Sequence, residues 1–181
     1  MNMSIRVINP HDPLFAEVRC LRSRYLGTNP AQETDFELRE PVRDALSYHL
    51  IYLDGAQVVG ALRITPVGHG LSFVERAIDI HKHFKQPMDT FDANRLVLNE
   101  RYRGGRHLRN FLLGASVWLK ANTHLRFISA LCSDTLQALY VGIGGRVVAE
   151  NITWQGQVDQ RLYSLICLEL DNVYRNIKGI N

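Results

Sequence analysis

The segment from Asn94 to Leu108 constrains this chain more than any other. An apolar strand, Arg95–Leu98, feeds a turn carrying Gly104 and Gly105, with Arg101, Arg103, Arg106 and Arg109 close by. A helix follows and puts Leu108, Phe111, Leu112, Ala115 and Leu119 on one face. Glycine allows positive φ and lets bare backbone N–H groups approach a ligand. The first N–H groups of a helix have no internal partner, and the helix dipole places partial positive charge there. Strand, glycine turn and helix together read as a cradle for an anion, a phosphate or pyrophosphate above all. The alternative is a plain basic surface turn. The lack of any carboxylate between Arg101 and Ser116 favours the anion site.

The flanking sequence supplies the other layers. Ile5–Ile8 alternates as a strand. Asp12-Pro13 reads as a helix start, with Asp12 as N-cap, for a helix that carries Phe15, Val18, Leu21, Arg22 and Tyr25 and ends near Gly27. Asn29–Val42 reads as an irregular loop with a short helix around Phe36. Tyr48–Leu53 and Gln57–Ile64 flank Asp54-Gly55, a hairpin signal. Ser72–Phe84 is expected to be helical, as is Gly105–Asn122. Phe127–Cys132 is a buried strand, and Ser133 caps a short helix that stops at Gly142–Gly145. Arg146–Glu150 and Leu162–Leu168 close the sheet. The expectation is a single domain over residues 1–181, with a core at 4–169 and a loose polar tail at 170–181. Its fold class is α/β (α+β): one mixed, mostly antiparallel sheet flanked by helices.

Composition narrows the function classes. The 181 residues are 46% hydrophobic and 22% charged, enough for a real core, and the net charge is only +3. No basic repeat, zinc-finger spacing or RNA-binding aromatic motif accompanies the arginines, so a nucleic-acid partner is not expected. Cys20, Cys132 and Cys167 are too few and too scattered for a disulfide framework. With no secretion signal and no apolar stretch long enough for a bilayer, a cytoplasmic protein without a membrane span is expected. His81 and His83 lie two apart, a poor spacing for joint ligation on a helix, and no metal site is expected.

The order of elements and two motifs resemble the GNAT acyltransferase superfamily over about Ile5–Leu168. The first motif is Leu96-Val97-Leu98 followed by Arg101-Tyr102-Arg103-Gly104-Gly105. It resembles the family's strand and pyrophosphate loop for coenzyme A, with Arg106 at a position the family gives to Gly or Ala. The second runs from Ser133 through Ala138-Leu139-Tyr140 to Gly144 and resembles the family's penultimate helix. A narrower resemblance points to acyl-homoserine-lactone synthases and N-acyl amino acid synthases. It rests on Leu21-Arg22 with Tyr25, Asp44-Ala45-Leu46-Ser47-Tyr48-His49, Val59-Gly60-Ala61-Leu62-Arg63 and Asp92-Ala93-Asn94-Arg95-Leu96. The first helix lacks the Trp that follows it in lactone synthases, and Glu33, Asp35 and Glu40 do not match their acidic spacing. That leaves room for a relative with another amine acceptor.

The resemblance implies an N-acyltransferase that moves an acyl group from a thioester to a small-molecule amine. The donor would be acyl-CoA or acyl-phosphopantetheine, the latter on an acyl carrier protein, and a homodimer is possible. In the family a strand bulge splays its neighbour and a strand N–H contacts the thioester carbonyl. Leu96, Val97 and Leu98, the turn residues Arg103, Gly104, Gly105, Arg106 and His107, and Ser133 would then hold the donor. Tyr140 would protonate the leaving thiolate, and equally reads as a half-buried helix aromatic. Asp92 and Arg95 would orient the acceptor or serve the base, and equally read as a structural ion pair. Arg22, Glu33, Asp35 and Arg63 are acceptor-binding candidates. Arg63, on an apolar strand, needs a partner in any case, and Glu33 and Asp35 read more simply as a solvated loop. The competing class is a module of the same shape that binds a thioester or a protein without turnover.

Overall fold

The computed structural model describes residues 2–27, 35–84, 87–153, 157–158 and 161–179. Its centre is a seven-stranded sheet in the order β1-β2-β3-β4-β5-β7-β6. The strands are β1 (Met3–Ile8), β2 (Tyr48–Asp54), β3 (Gln57–Pro66), β4 (Thr90–Leu98), β5 (Phe127–Cys132), β6 (Arg146–Ile152) and β7 (Tyr163–Glu169). Every neighbouring pair is antiparallel except β4 and β5. The expected mixed, mostly antiparallel sheet is therefore present. β2 and β3 are buried without a break from His49 to Leu53 and from Val58 to Thr65, because both their faces are covered. Gly55 takes φ 59 in the turn that joins them.

Helix α1 (Phe15–Leu26) covers one face, where Phe15, Val18 and Leu21 meet Ile51, Ala61 and Val97. Helix α2 (Phe36–Ala45) precedes β2. Two short helices, α3 (Phe73–Ala77) and α4 (Ile80–His83), follow β3. Helix α5 (Gly105–Asn122) lies on the other face and buries Phe111, Leu112, Ala115 and Leu119 in the main core. Helices α6 (Asp134–Gly142) and α7 (Leu170–Gly179) complete that face.

Four local readings need correction. The tail is helix α7, not loose chain: Leu170, Val173 and Ile177 recur at helical spacing, and all are buried beside α5. Ile177→Val should therefore lower stability by about 1 kcal/mol. Chemical unfolding would show a lower midpoint at unchanged slope, whereas a loose tail would leave the midpoint where it is. Residues 72–84 form two helices because Asp79 caps a second one, accepting from His81 N. Of the segment read as an irregular loop, residues 29–34 lie outside the described residues, and Phe36–Ala45 is a full helix with Pro41 inside it. Asp12 binds Leu14 N at 3.0 Å, but α1 itself starts at Phe15.

Candidate active site

The site begins where the sheet divides. β4 and β5 pair only from Thr90↔Phe127 to Asp92↔Ser129. Beyond that, β4 continues beside β3 while β5 continues beside β7. On the β3 side, Ala61 faces Val97 but Arg63 faces Asn94, so β4 carries one extra residue at Arg95–Leu96. Arg95 absorbs the bulge in a left-handed conformation, φ 57. A non-glycine residue held there costs about 1–3 kcal/mol and persists where the surroundings dictate it, commonly at functional sites.

A cavity of about 180 Å³ fills this cleft, walled by Asp92, Ala93, Asn94, Arg95 and Leu96 of β4, Leu131 of β5, and Leu136 and Tyr140 of α6. Tyr140 is buried, and it also lines a smaller apolar cavity of about 40 Å³ deeper in the core with Leu112, Leu119, Ile143 and Leu168. Burial, with Cys132 and Asp92 beside it, holds the Tyr140 phenol well above the ordinary tyrosine range. It therefore keeps its proton at any ordinary pH. Its placement depends on bare backbone behind it. A side chain at Gly145 would come within 2.6 Å of the Tyr140 carbonyl, which instead accepts from Gly145 N at 2.8 Å.

Asp92 is fully buried. Its Oδ2 accepts from Phe73 N at 2.9 Å and Val74 N at 3.4 Å, while Oδ1 has no hydrogen-bond partner among the described residues. Burial raises its carboxyl to about 6, outweighing those two N–H groups and the positive charge of Arg63. Asp92 forms no ion pair with Arg95, so of the two readings of this pair the structural ion pair is not met.

Arg95 instead pairs with Glu40 of α2 and stacks 4.7 Å from the Phe36 ring. Burial lowers its pKa to about 10, so it stays a cation. It also opens onto a second cavity of about 520 Å³, lined by Arg19, Arg22, Phe36, Glu37, Glu40 and Asp44 among others. Arg63 lines neither cavity. Fully buried, it donates to Asn94 Oδ1 at 2.6 Å and Asp44 Oδ1 at 2.7 Å, and its Nη1 lies 2.9 Å from Glu40. It ties α2 to β3 and β4. Arg22 donates to the same Asp44 Oδ1 at 3.0 Å. Burial pushes the Asp44 carboxyl up, but Arg22 and Arg63 together bring it below the ordinary range.

The basic turn forms as expected, with Gly104 at φ 119 and open space beside both glycines. Arg101 and Arg106 are exposed there. Arg103 is committed elsewhere: its guanidinium lies 4.7 Å from the Tyr25 ring and donates to the Leu98 carbonyl at 3.2 Å. His107 packs edge-on against Tyr102. Val97 points into the α1 core and Leu98 into the main core, so those side chains face neither cavity. Ser133 sits at the start of α6 but makes no cap bond, its hydroxyl resting 2.9 Å from that of Thr135. Asp35 is exposed and pairs with Arg39 at 3.1 Å, away from both cavities. Glu33 lies outside the described residues. Glu40, which sequence alone did not place in the site, joins Arg63 to Arg95. Among the described residues no cluster of His, Cys, Asp or Glu has the makings of a metal site, and no helix is long and apolar enough to cross a membrane.

No family model matches the sequence, and no curated protein matches it. Solved structures do match it. FeeM, an N-acyl amino acid synthase from uncultured soil microbes, superposes at TM-score 0.72 with 8% identity, over 95% of this chain and 93% of FeeM. MesI, a CoA-dependent acyl-homoserine lactone synthase, gives TM-score 0.66 with 13% identity, over 98% and 94%. A GNAT-family acetyltransferase from Streptococcus pneumoniae gives TM-score 0.58 with 17% identity, over 93% and 99%. The chain has the GNAT fold.

Proposed function

We propose that the protein is an N-acyltransferase that moves an acyl group from a thioester to the amine of a small molecule bearing a carboxylate. The observation that carries this is the bulge at Arg95: it lies where β4 and β5 part, in the cleft walled by Asp92 and Tyr140, and gives one residue a place in both cavities. The donor, a thioester of coenzyme A or of the same phosphopantetheine arm on a carrier protein, would lay its phosphates on the N–H groups of Gly105, Arg106 and His107 and run its acyl group past Leu96. FeeM and MesI, which share the fold, are named for reactions of this kind. The acceptor would occupy the charged cavity, its carboxylate toward Arg22 and Arg95 and its amine toward the cleft.

The chemistry then needs little. The amine nitrogen attacks the thioester carbon, a C–N bond forms and the C–S bond breaks. Asp92 takes the proton that the amine loses, and Tyr140 gives its phenolic proton to the departing thiolate. Solvent restores both groups.

A thiol-release screen tests the reading. Acyl-CoA donors would be offered L-amino acids, their amides and the corresponding amines without a carboxylate. Release is expected with the amino acids, and weakly or not at all with the carboxylate-free amines. No release with any of them would overturn the proposal. Arg106→Glu should weaken acyl-CoA binding by about tenfold or more, because it reverses charge at an exposed phosphate site. Calorimetric titration of both proteins reads this, and equal affinities would remove the turn from the donor site.

A further inference from the structure

His49 has no role in the site described above, yet it is fully buried beneath the charged cavity. It sits on β2 opposite Arg63, its ring edge-on to Phe15 at 4.8 Å. Its Nδ1 lies 3.0 Å from Nη2 of Arg22, and its Nε2 lies 2.9 Å from the carbonyl oxygen of Asp44. Chemistry fixes the tautomer. A carbonyl can only accept, so Nε2 carries the hydrogen; a guanidinium can only donate, so Nδ1 carries the lone pair. The ring is therefore neutral, and burial beside Arg22 keeps it so, with a pKa of about 4.

The surrounding charges show why a neutral ring matters. Among the described residues, four buried guanidiniums, Arg22, Arg43, Arg63 and Arg95, gather around the carboxylates of Glu40 and Asp44. Both carboxylates are shared: Asp44 serves Arg22 and Arg63, and Glu40 serves Arg63 and Arg95. Arg22 needs a further acceptor for its second terminal nitrogen. A third carboxylate would satisfy that nitrogen and cancel the charge. An imidazole satisfies it and leaves the positive charge standing in the cavity wall.

We propose that His49 is a positioning residue for the amine acceptor: it orients the Arg22 guanidinium toward the 520 Å³ cavity and preserves its charge for the acceptor's carboxylate. This rests on the acceptor-cavity reading above. His49 touches neither acceptor nor donor; it acts through Arg22.

Three substitutions separate orientation, charge and packing. His49→Asn places an amide oxygen near the Nδ1 position and can still accept from Arg22. His49→Phe fills the volume with no acceptor. His49→Asp accepts but brings a negative charge. The readouts are KM for an L-amino acid from the screen, KM for its amide, and KM for acyl-CoA. His49→Phe and His49→Asp should raise the amino-acid KM by about tenfold or more, the scale of a lost charged hydrogen bond. The acyl-CoA KM should not move, and the preference for acid over amide should shrink. His49→Asn should restore the amino-acid KM and that preference. Equal losses in all three variants, or parallel rises in both substrates' KM, would overturn the proposal and leave His49 a packing residue. Arg22→Gln is the control. An unchanged amino-acid KM there would overturn the acceptor-cavity reading and this proposal with it; a raised KM there with none in His49→Phe would overturn this proposal alone. A measurement on the wild-type protein needs neither substrate nor variant. Nitrogen-15 spectra of the histidine rings should show His49 with a bare Nδ1 and a protonated Nε2 between pH 5.5 and 8, a window set by its low pKa. The opposite tautomer or an imidazolium would overturn the proposal.

Discussion

Tyr140→Phe should lower kcat by ~10²–10⁴-fold, the usual loss on removing a general acid, while leaving the acyl-CoA KM near its wild-type value. The phenol keeps its proton because burial and the nearby Cys132 and Asp92 disfavour the anion. A group so placed is a reservoir of one proton facing the cleft where a thiolate would be released. The substitution removes a single oxygen and keeps the ring, which packs with Leu96, Leu112 and Ile143 around the inner cavity. Stability should therefore change little. An interaction made only in the transition state lowers kcat and kcat/KM together, so that pattern identifies the acid. Two donors sharpen the test. An acyl thioester of an acidic thiol, whose thiolate leaves without help, should be turned over by Tyr140→Phe far better than acyl-CoA relative to wild type. If both donors slow equally, or neither slows, Tyr140 is a wall of the cavity and the thiolate leaves unaided.

Much of this site is legible in the sequence because its parts are local. Gly104-Gly105 between an apolar strand and an amphipathic helix needs no tertiary knowledge, and helix α5 begins and ends where periodicity puts it. The same holds for Phe127–Cys132 and for Ser133 leading into α6. What escapes is what depends on distance. Arg103 looks identical to Arg106 along the chain, but only the fold brings Tyr25 beneath it. Arg95 can be paired with Asp92 by proximity in sequence; successive strand residues point to opposite faces and the bulge turns Arg95 away, toward a carboxylate 55 positions earlier. Glu40 and His49 were visible as residues and not as partners, since Glu40 meets Arg63 across 23 positions and His49 meets Arg22 across 27. The last helix is a different failure. Leu170, Val173 and Ile177 have helical spacing, but they are three apolar residues in a polar stretch, and only the groove beside α5 makes that spacing decisive.

Asp92→Asn should make the protein more stable and much less active at the same time. The carboxyl is raised to about 6 from an ordinary 3.8, so its neutral form is the one the fold prefers. In the unfolded chain it ionises near 3.8. Below that pH both states hold the proton and nothing is lost. As pH rises from about 4 to about 6 the unfolded chain gains by ionising while the folded carboxyl keeps its proton, so stability falls; above about 6 the folded state carries the buried anion and the full penalty stands, about 3 kcal/mol. Asparagine never ionises. Its carbonyl can keep the bonds from Phe73 N and Val74 N, and its amide takes the place of the oxygen that now has no partner. Thermal unfolding at pH 8 should thus show Asp92→Asn more stable than wild type, by as much as about 3 kcal/mol, and the two proteins should converge near pH 4. Activity should move the other way. The anion that burdens the fold is the form able to take the amine's proton, so wild-type kcat/KM should fall off below pH about 6, and Asp92→Asn should be slower by ~10²–10⁴-fold with that limb gone. The two readouts fail separately. A stability gain with full activity would make Asp92 a strained bystander. A loss of activity with stability lowered at every pH would mean that Asp92 braces α3 against β4 and that its charge has no part in the chemistry.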